Sequence, residues 1–200
     1  MGQTRRSITK QAKSNMSFEL ITIPCLSDNY AFLAHDATDG KTLLVDVPEA
    51  APIRKVLSQK GWHLSDILLT HHHSDHVDGL ADLLKSHPAR VIGAKVDRHR
   101  LPALDHAVVE GDVITVGSHT GKVFDVSGHT IGHVAVYFEQ SNLLFSADSL
   151  MALGCGRLFE GDAAQMWDSL SKLKVLDPDA VVCSGHEYTA ANGRFAITIE

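Results

Sequence analysis

The sequence predicts one domain of mixed α and β structure, with mixed β-sheets inside and helices outside, in layers. Two observations carry this prediction. Short apolar runs separated by turn residues recur along the chain, as in hairpins, and a strand–helix–strand unit lies among them. The length of 200 residues suits one domain, and a 44% share of hydrophobic residues can supply its core.

The N-terminal part alternates short apolar runs with polar turn residues, a pattern typical of strands. Between residues 48 and 60 the spacing changes, because apolar residues fall at Ile53, Val56 and Leu57. This spacing predicts a helix, which Gly61 ends. The strands expected before it are Phe18–Ile23, Tyr30–Ala34 and Thr42–Val45.

A strand–helix–strand unit follows, and its first connection is rich in histidine. The run Asp66–Leu69 predicts a buried strand, and seven residues of type Thr-His-His-His-Ser-Asp-His follow it directly. A helix is expected over Val77–Leu84 and a second strand over Arg90–Gly93.

The spacing of this His-rich turn, residues 70–76, has a physical meaning. If the backbone stays extended past the strand, His71 and His73 project to one side and His72 to the other. Asp75 and His76 come at the turn into the helix and could serve a second ion. Imidazoles mixed with carboxylates suit zinc or another first-row metal better than calcium or magnesium. A histidine-rich surface loop is the alternative interpretation.

The rest of the chain continues the same pattern of short strands and occasional helices. An apolar stripe through Met166, Leu170 and Leu173 predicts one longer helix, Ala163–Val175. A short helix is expected over Lys95–Leu101, ending at Pro102. The further strands expected are Val113–Val116, Lys122–Val126, Val134–Phe138, Leu143–Ser146 and Ala180–Cys183.

Three of these later strands are followed by a polar residue that could join the His-rich turn. They are His129, Asp148 and His186. Each alone is a weak signal, because a histidine or aspartate past a strand is more often a surface or turn residue. Together with the His-rich turn they supply five histidines and two carboxylates, which is enough for a dinuclear metal site.

These residues resemble a known family pattern. The motif His71-x-His73-x-Asp75-His76, followed by Gly128-His129, Asp148 and Gly185-His186, resembles that of the metallo-β-lactamase superfamily. Within it, three stretches resemble the glyoxalase II (hydroxyacylglutathione hydrolase) family. They are Pro24–Tyr30, Gly154–Gly161 and Gly185–Thr189, and the resemblance runs from Phe18 to the last residue.

The resemblance implies an α+β fold, a four-layer αββα sandwich of two mixed β-sheets, with two divalent metal ions at a shared edge. Zinc is the expected metal, with iron or manganese as alternatives. Asp46 would orient the His-rich turn from behind, or it is only a turn residue at a strand end. The implied ligands are His71, His73 and His129 for the first ion, Asp75, His76 and His186 for the second, and Asp148 between them.

The implied activity is hydrolysis of S-lactoylglutathione, a 2-hydroxyacylglutathione, to glutathione and a 2-hydroxy acid, which is the last step of methylglyoxal detoxification. A hydroxide bridging the two metals would attack the thioester carbon, with Asp75 and Asp148 as the catalytic carboxylates. Glutathione would contact Arg157, Phe159 and Tyr188. A solvated charge is the alternative for Arg157, and core packing is the alternative for Tyr188. Because Phe159 stands where animal members tend to carry tyrosine, one hydroxyl contact is expected to be missing.

Other functions are alternatives to this one. A mono-iron persulfide dioxygenase of the same superfamily and a catalytically weakened metal-binding remnant stay open as alternatives. A lactamase is disfavoured because the position between the two metals holds Asp148 and not the cysteine that many zinc lactamases carry nearby. The remaining histidines are assigned to surface or packing roles, although His133 could donate a hydrogen bond to a ligand.

Charge and cysteine content limit the partners and the compartment. The net charge is −6, and the first 15 residues hold four of the 18 basic residues and none of the 24 acidic ones. The body of the protein is therefore strongly acidic, which disfavours nucleic acid. Three cysteines without a Cys-x-x-Cys pair argue against a disulfide framework and fit a reducing cytoplasm. No apolar run approaches the roughly 18 residues of a membrane span.

The two ends of the chain carry separate expectations. Residues 1–15 are predicted to be a disordered basic extension, and residues 16–200 the hydrolase domain. The helical segment that follows in the family would be absent here. Substrate affinity is then expected to suffer more than chemistry, and the protein is expected to be a monomer or a weak homo-oligomer.

Overall fold

The computed structural model describes residues 18–199. The extension expected over residues 1–15 lies outside the described residues. The strands are β1 Glu19–Cys25, β2 Asn29–Asp36, β3 Lys41–Val45, β4 Asp66–Leu69, β5 Arg90–Ala94, β6 His106–Val108, β7 Val113–Val116, β8 His119–Asp125, β9 Val134–Phe138, β10 Leu143–Ala147 and β11 Val181–Ser184. The helices are α1 Ala50–Lys60, α2 Ser74–Val77, α3 Leu80–Leu84, α4 Ala163–Leu173 and α5 Thr189–Ala196, with a 3-10 turn at Glu139–Ser141.

The strands form two mixed sheets. The first has six strands in the order β1-β2-β3-β4-β5-β6, antiparallel up to β3 and parallel from β3 onward. The second has five strands in the order β11-β10-β9-β8-β7, and its β10–β11 pair is parallel while its other pairs are antiparallel. The helix-bearing connection from β4 to β5 is the predicted strand–helix–strand unit.

Three apolar cores separate the layers. Between the sheets, buried side chains such as Phe32, Leu68 and Phe145 pack together. On the outer face of the first sheet, α1 and α3 cover a second core, and on the outer face of the second sheet Leu173 of α4 joins a third. Two sheets with helices on both outer faces are four layers, so the predicted αββα sandwich is confirmed.

The predicted elements are mostly present, and the errors have local causes. The helix expected over 77–84 is two short helices, α2 and α3, which meet at Gly79. A side chain at Gly79 would approach the backbone of Glu49 to 2.7 Å, so only glycine fits where the two helices meet. Residues 95–101 form turns rather than the expected helix. The strand β6 and the helix α5 were not predicted.

The topology brings several strand ends to one edge of the molecule. β3 and β4 run parallel in the first sheet, and β8, β10 and β11 run in a common direction in the second. The turn between β1 and β2 connects the sheets, because Tyr30 N donates to Gly185 O at 2.8 Å and Glu187 N donates to Asp28 O at 2.8 Å. Residues that follow these strands can therefore meet.

Within residues 18–199, no helix has the length and apolar character that crossing a bilayer requires.

Candidate metal centre

The His-rich turn presents two imidazoles on one side. His71 is fully buried, and its Nε2 lies 3.2 Å from Nδ1 of His73. His72 points the other way, with Nδ1 2.9 Å from the Asp97 carboxylate. This alternation is the one that an extended backbone past β4 predicts.

His129 completes the first group. Its Nε2 lies 3.0 Å from Nδ1 of His73, so three imidazoles from two loops face one space. Potential ligand atoms of His71, His73 and His129 all lie within 4.8 Å of one another. The loop that carries His129 turns at Gly128, whose φ of +150° favours glycine. We call these three residues the first metal group.

Asp75, His76 and His186 form a second metal group beside the first. Nε2 of His76 lies 3.4 Å from Nε2 of His186, and Oδ2 of Asp75 lies 3.7 Å and 3.4 Å from these two nitrogens. His76 is fully buried and His186 is 7% exposed. The ligand atoms again lie within 4.8 Å of one another. Asp75 and His76 come from α2, and His186 comes from the segment after β11.

Asp148 lies between the two groups. Its Oδ2 is 3.4 Å from Nε2 of His129 and 3.3 Å from Nε2 of His186, and its Oδ1 is 3.5 Å from Nε2 of His76. It follows β10 directly and is 4% exposed. One carboxylate therefore contacts both groups. All seven ligand candidates named from the sequence are brought together, and their role as ligands stays a prediction.

The outer nitrogens of these rings show that the donor set fits cations. Nδ1 of His76 donates to Asp46, Nδ1 of His186 to Asp28, and Nδ1 of His129 to the Arg157 carbonyl, at 2.8, 2.8 and 2.7 Å. These acceptors carry no proton to give, so each ring, in its neutral form, keeps its proton on Nδ1 and points its Nε2 lone pair inward. Buried Oδ1 of Asp148 also has no hydrogen-bond partner among the described residues. Converging lone pairs and a buried carboxylate are what divalent ions satisfy.

Asp46 supports both groups from behind. Its Oδ2 accepts from His76 Nδ1 and from the Thr70 hydroxyl, each at 2.8 Å, and its Oδ1 accepts from Thr70 N at 2.8 Å. Because that hydroxyl gives its proton to Asp46, its oxygen accepts from Nδ1 of His71 at 3.0 Å. Asp46 is buried and adopts a left-handed φ of +57°. The structure therefore places it where the sequence proposed, behind the His-rich turn.

The two groups differ in electrostatics. Burial lowers the pKa of His71, His73 and His129, so the first metal group is neutral and its lone pairs are free near neutral pH. Burial also acts on His186, but the hydrogen bonds and charges of its carboxylate neighbours outweigh it and raise its pKa to about 9. Burial alone would raise the pKa of Asp148, yet the surrounding imidazoles hold it well below its usual range. Asp148 therefore stays ionised.

Two supporting residues were missed by sequence reasoning. Asp28 accepts from Nδ1 of His186, and Asn29 donates to Oδ2 and the carbonyl of Asp75 at 2.9 and 3.1 Å. Asp28 lies in the turn between β1 and β2, and Asn29 is the first residue of β2. The sequence indicates a turn at this Asp-Asn pair. The only further signal was that the pair lies within Pro24–Tyr30, one of the stretches that resemble the family.

A cleft of about 610 Å³ opens over the two groups. Arg157, Phe159 and Tyr188 line it, as expected of substrate contacts, together with Met151. The Phe159 ring stands edge-on to His73 and His129, with centroid distances of 5.4 and 5.3 Å. The Arg157 guanidinium lies 5.7 Å from the centre of the Phe159 ring.

Two further rings pack on the ligand candidates. Tyr188 stacks on His186 with centroids 4.9 Å apart, and it is 38% exposed, so it is not a core residue. His133 is fully buried and stacks on His71 at 4.6 Å. Neither ring nitrogen of His133 has a hydrogen-bond partner among residues 18–199. His133 therefore contacts the first metal group by stacking and not as a donor.

Comparison with known proteins identifies the family. The profile of the metallo-beta-lactamase superfamily matches residues 26–186. A hydroxyacylglutathione hydrolase of Cereibacter sphaeroides is 60% identical over 185 residues, which are 92% of this chain and 72% of the relative. The chain belongs to the metallo-β-lactamase superfamily and, within it, to the hydroxyacylglutathione hydrolase family. The resemblance inferred from the motifs is confirmed.

Solved structures share the fold of this hydroxyacylglutathione hydrolase family member. The B3 metallo-beta-lactamase BLEG-1 is 24% identical with a TM-score of 0.77, and the match covers 84% of this chain and 91% of that one. At this identity the likeness concerns the fold alone. TTHA1623, solved in a di-iron-bound form, is 26% identical with a TM-score of 0.71, with coverages of 84% and 91%. Superfamily membership and the His/Asp groups together identify a divalent metal site.

Proposed function

We propose that this protein is a metal-dependent thioester hydrolase that cleaves S-lactoylglutathione and related 2-hydroxyacylglutathiones to glutathione and a 2-hydroxy acid. One observation supports it most: two His/Asp groups, joined by one buried carboxylate, lie at the floor of a cleft in a member of this family. Methylglyoxal detoxification is the pathway that this reaction would serve.

The two metal groups and Asp148 would hold two divalent ions, as the implied ligand set requires. Bound there, such ions lower the pKa of a coordinated water and polarise a carbonyl oxygen. The di-iron form of TTHA1623 supports a pair of ions in a related fold. Zinc is the proposed metal, because imidazole and carboxylate ligands suit it, and iron and manganese accept the same set.

The residues of the chain prepare the site for this chemistry. Asp148 stays ionised between the two groups and places negative charge where two cations would meet. Asp75 has a 39% exposed side chain that lines the cleft, and Asn29 holds its carboxylate in place. Asp46 fixes the rings of His71 and His76, so little reorganisation is required when a substrate arrives.

The cleft wall offers matching contacts for a glutathione thioester. The Arg157 guanidinium can pair with a carboxylate of glutathione, and the Tyr188 hydroxyl can donate nearby. Phe159 can only pack, since it lacks a hydroxyl, and it shields His73 and His129 from bulk water. After attack on the thioester carbon, the glutathione thiolate leaves readily because a thiol is a much stronger acid than an alcohol.

A cytoplasmic location is also proposed. Cys25, Cys155 and Cys183 are all free in the structure, and unpaired cysteines are typical of a reducing compartment. A monomer or weak homo-oligomer remains the proposed assembly.

A thioesterase assay tests the function. Zinc-loaded protein should release free thiol from S-lactoylglutathione, should lose this activity after chelation, and should regain it when zinc returns. Asp148→Ala, which removes the carboxylate shared by both groups, should remain inactive after the same reloading. Turnover that survives exhaustive chelation would contradict the proposal. Oxygen uptake with glutathione persulfide would favour the dioxygenase branch instead.

A further inference from the structure

A cluster of charged residues lies beside the first metal group, and no ligand role or substrate contact includes it. Asp97 and Arg100 lie in the turns after β5, and Glu160 lies in the loop between β10 and α4. Asp97 is fully buried, while the side chains of Arg100 and Glu160 are 29% and 27% exposed. Partial burial weakens solvent screening, so these charges interact more strongly than ordinary surface pairs.

Arg100 is the centre of this cluster. Its Nε pairs with Asp97, and its two terminal nitrogens both contact the Glu160 carboxylate. One of these nitrogens also donates to the Ile131 carbonyl at 2.7 Å, while Glu160 accepts from Ile131 N at 2.6 Å. The peptide groups on both sides of Ile131 are therefore held by one ion pair. A planar guanidinium can make all these contacts at once, which an ammonium cannot.

The segments joined by the cluster are those that carry the first metal group. Asp97 binds His72, which stands between two ligand candidates, at 2.9 Å. Ile131 follows His129 by two residues. The loop of Glu160 also bonds to the His129 segment directly, since Phe159 N donates to His129 O and Gly161 N donates to Gly128 O, each at 3.1 Å.

The second metal group is supported differently. Asp75 is held by Asn29, His76 by Asp46 and His186 by Asp28. Among the hydrogen bonds and ion pairs of residues 18–199, none connects Asp97, Arg100 or Glu160 to these six residues. The cluster can therefore influence one group without touching the other.

We propose that Asp97, Arg100 and Glu160 form a positioning cluster, which fixes the first metal group and the loop that carries Arg157 and Phe159. The metal part of this proposal depends on the ligand set, and the loop part rests on the proposed glutathione thioester hydrolysis. Breaking the cluster should loosen the His-rich turn, the loop of His129 and the loop of Glu160 together. Asp97 contacts the side chain of His72, and the pair of Arg100 and Glu160 contacts the peptide groups of Ile131. Residues hydrogen-bonded directly to metal ligands typically change metal affinity about 10-fold to 100-fold, and this cluster contacts residues next to the ligands, so we expect an effect at the lower end of that range.

Arg100→Gln and Glu160→Gln test the proposal. The matched control is Arg54→Gln, because Arg54 makes a comparable ion pair with Asp82 at 2.6 Å between α1 and α3, away from the cleft. Zinc binding is measured by competition with a chromophoric chelator in two backgrounds. His186→Ala leaves the first metal group intact, and His129→Ala leaves the second. We expect Arg100→Gln to weaken zinc binding about tenfold or more in the first background and to leave it unchanged in the second.

Steady-state kinetics supply an independent readout. At saturating zinc, Arg100→Gln should raise KM for S-lactoylglutathione by a larger factor than it lowers kcat, because the loop of Arg157 loosens while the ligands are refilled. Combining Arg100→Gln with Glu160→Gln should add little to either single change, since the two residues act as one unit. If Arg100→Gln fails to fold, the same measurements on Glu160→Gln test the proposal. This variant removes the charge of Glu160, while its amide oxygen can still accept from Ile131 N.

The outcomes separate the two proposals. Zinc affinities and KM that match those of Arg54→Gln would overturn the positioning cluster, as would an equal loss of zinc affinity in both backgrounds. If the wild-type protein hydrolyses no glutathione thioester, the proposed function fails. The zinc measurements would still confirm or overturn the cluster in that case.

Discussion

At the scale of single residues, the donor roles of the ring nitrogens determine what the site can bind. Asp46 is the clearest case, because one carboxylate orients His76 directly and His71 through Thr70. Its left-handed backbone is a conformation that asparagine tolerates well. Asp46→Asn therefore removes the charge and one acceptor without straining the chain.

We expect Asp46→Asn to weaken metal binding about 10-fold to 100-fold. The amide has two orientations, and each places its NH2 group against a donor. In one orientation the NH2 group faces Thr70 N, and in the other it faces the Thr70 hydroxyl and Nδ1 of His76. Metal affinity measured by competitive titration checks this expectation. Asp36→Asn is the control, because Asp36 is also a buried carboxylate but lies at the other end of β2 from the site. Equal affinities for the two variants would contradict the role of Asp46.

Gly185 is a second residue on which the site depends, because no room exists there for a side chain. A Cβ at this position would lie 2.1 Å from Oδ1 of Asp148 and 2.8 Å from Cε1 of His76. Gly185→Ala must therefore displace the carboxylate that lies between the two metal groups.

We expect Gly185→Ala to abolish binding of at least one metal ion and to reduce hydrolysis by at least 100-fold, which elemental analysis and the thioesterase assay measure. Gly193→Ala is the control, since the nearest atom to its Cβ is 3.8 Å away and Gly193 lies within α5. That control should gain about 0.5–1 kcal/mol of helix stability. A fully active Gly185→Ala enzyme would show that Asp148 does not need its present position.

The ligand candidates were predictable for a reason that the supporting residues lack. Four of them fall within six residues of one turn, so local backbone geometry determines how they point. Asp28 and Asn29 lie 158 and 46 residues from the side chains they hold, and no local spacing reveals such a pairing. Arg100 belongs to this second class, because its partner Glu160 is 60 residues away.

At the scale of elements, prediction succeeded where one periodicity runs without interruption. The apolar spacing in α1 and its end at Gly61, with φ of +66°, were both predicted. Failures occurred where tertiary contacts override local preference. The predicted helix over 95–101 forms turns that bury Asp97 against His72 and Arg100, and β6 is only three residues long and exists through its pairing with β5.

The end of β2 shows how one element connects the two sheets. Asp36 accepts from Ser118 N and its hydroxyl at 2.8 and 2.7 Å, in the turn between β7 and β8, and from Thr38 N at 2.8 Å. Burial by itself would raise the pKa of Asp36, but these hydrogen bonds outweigh it and hold the pKa well below its usual range. Asp36 therefore remains charged and joins both sheets.

This shift gives a pH dependence of stability with a definite sign. Since folding depresses the pKa of Asp36, its stabilisation is complete above the unfolded pKa of about 4 and is lost as the pH falls further. Asp36→Asn should cost about 1–3 kcal/mol of unfolding free energy at pH 7. The difference from wild type should shrink below pH 4. Urea unfolding of chelated protein at several pH values measures both quantities, and a difference that grows on acidification would contradict the assignment.

At the scale of the whole molecule, the site exists because two sheets present strand ends at a common edge. The first sheet supplies the His-rich turn and Asp46, and the second supplies His129, Asp148 and His186. Neither sheet contains a complete set for either ion, since each metal group takes residues from both. Metal binding should therefore stabilise the packing of the sheets as well as the site.

The number of metal ions per chain, measured by elemental mass spectrometry on protein loaded with zinc and then freed of excess metal, tests this account most directly. Wild-type protein should hold two ions. His129→Ala and His186→Ala should each hold about one, because each removes a ligand from one group and leaves the other intact. A wild-type protein with a single ion, or both variants retaining two, would contradict a dinuclear site built from these residues.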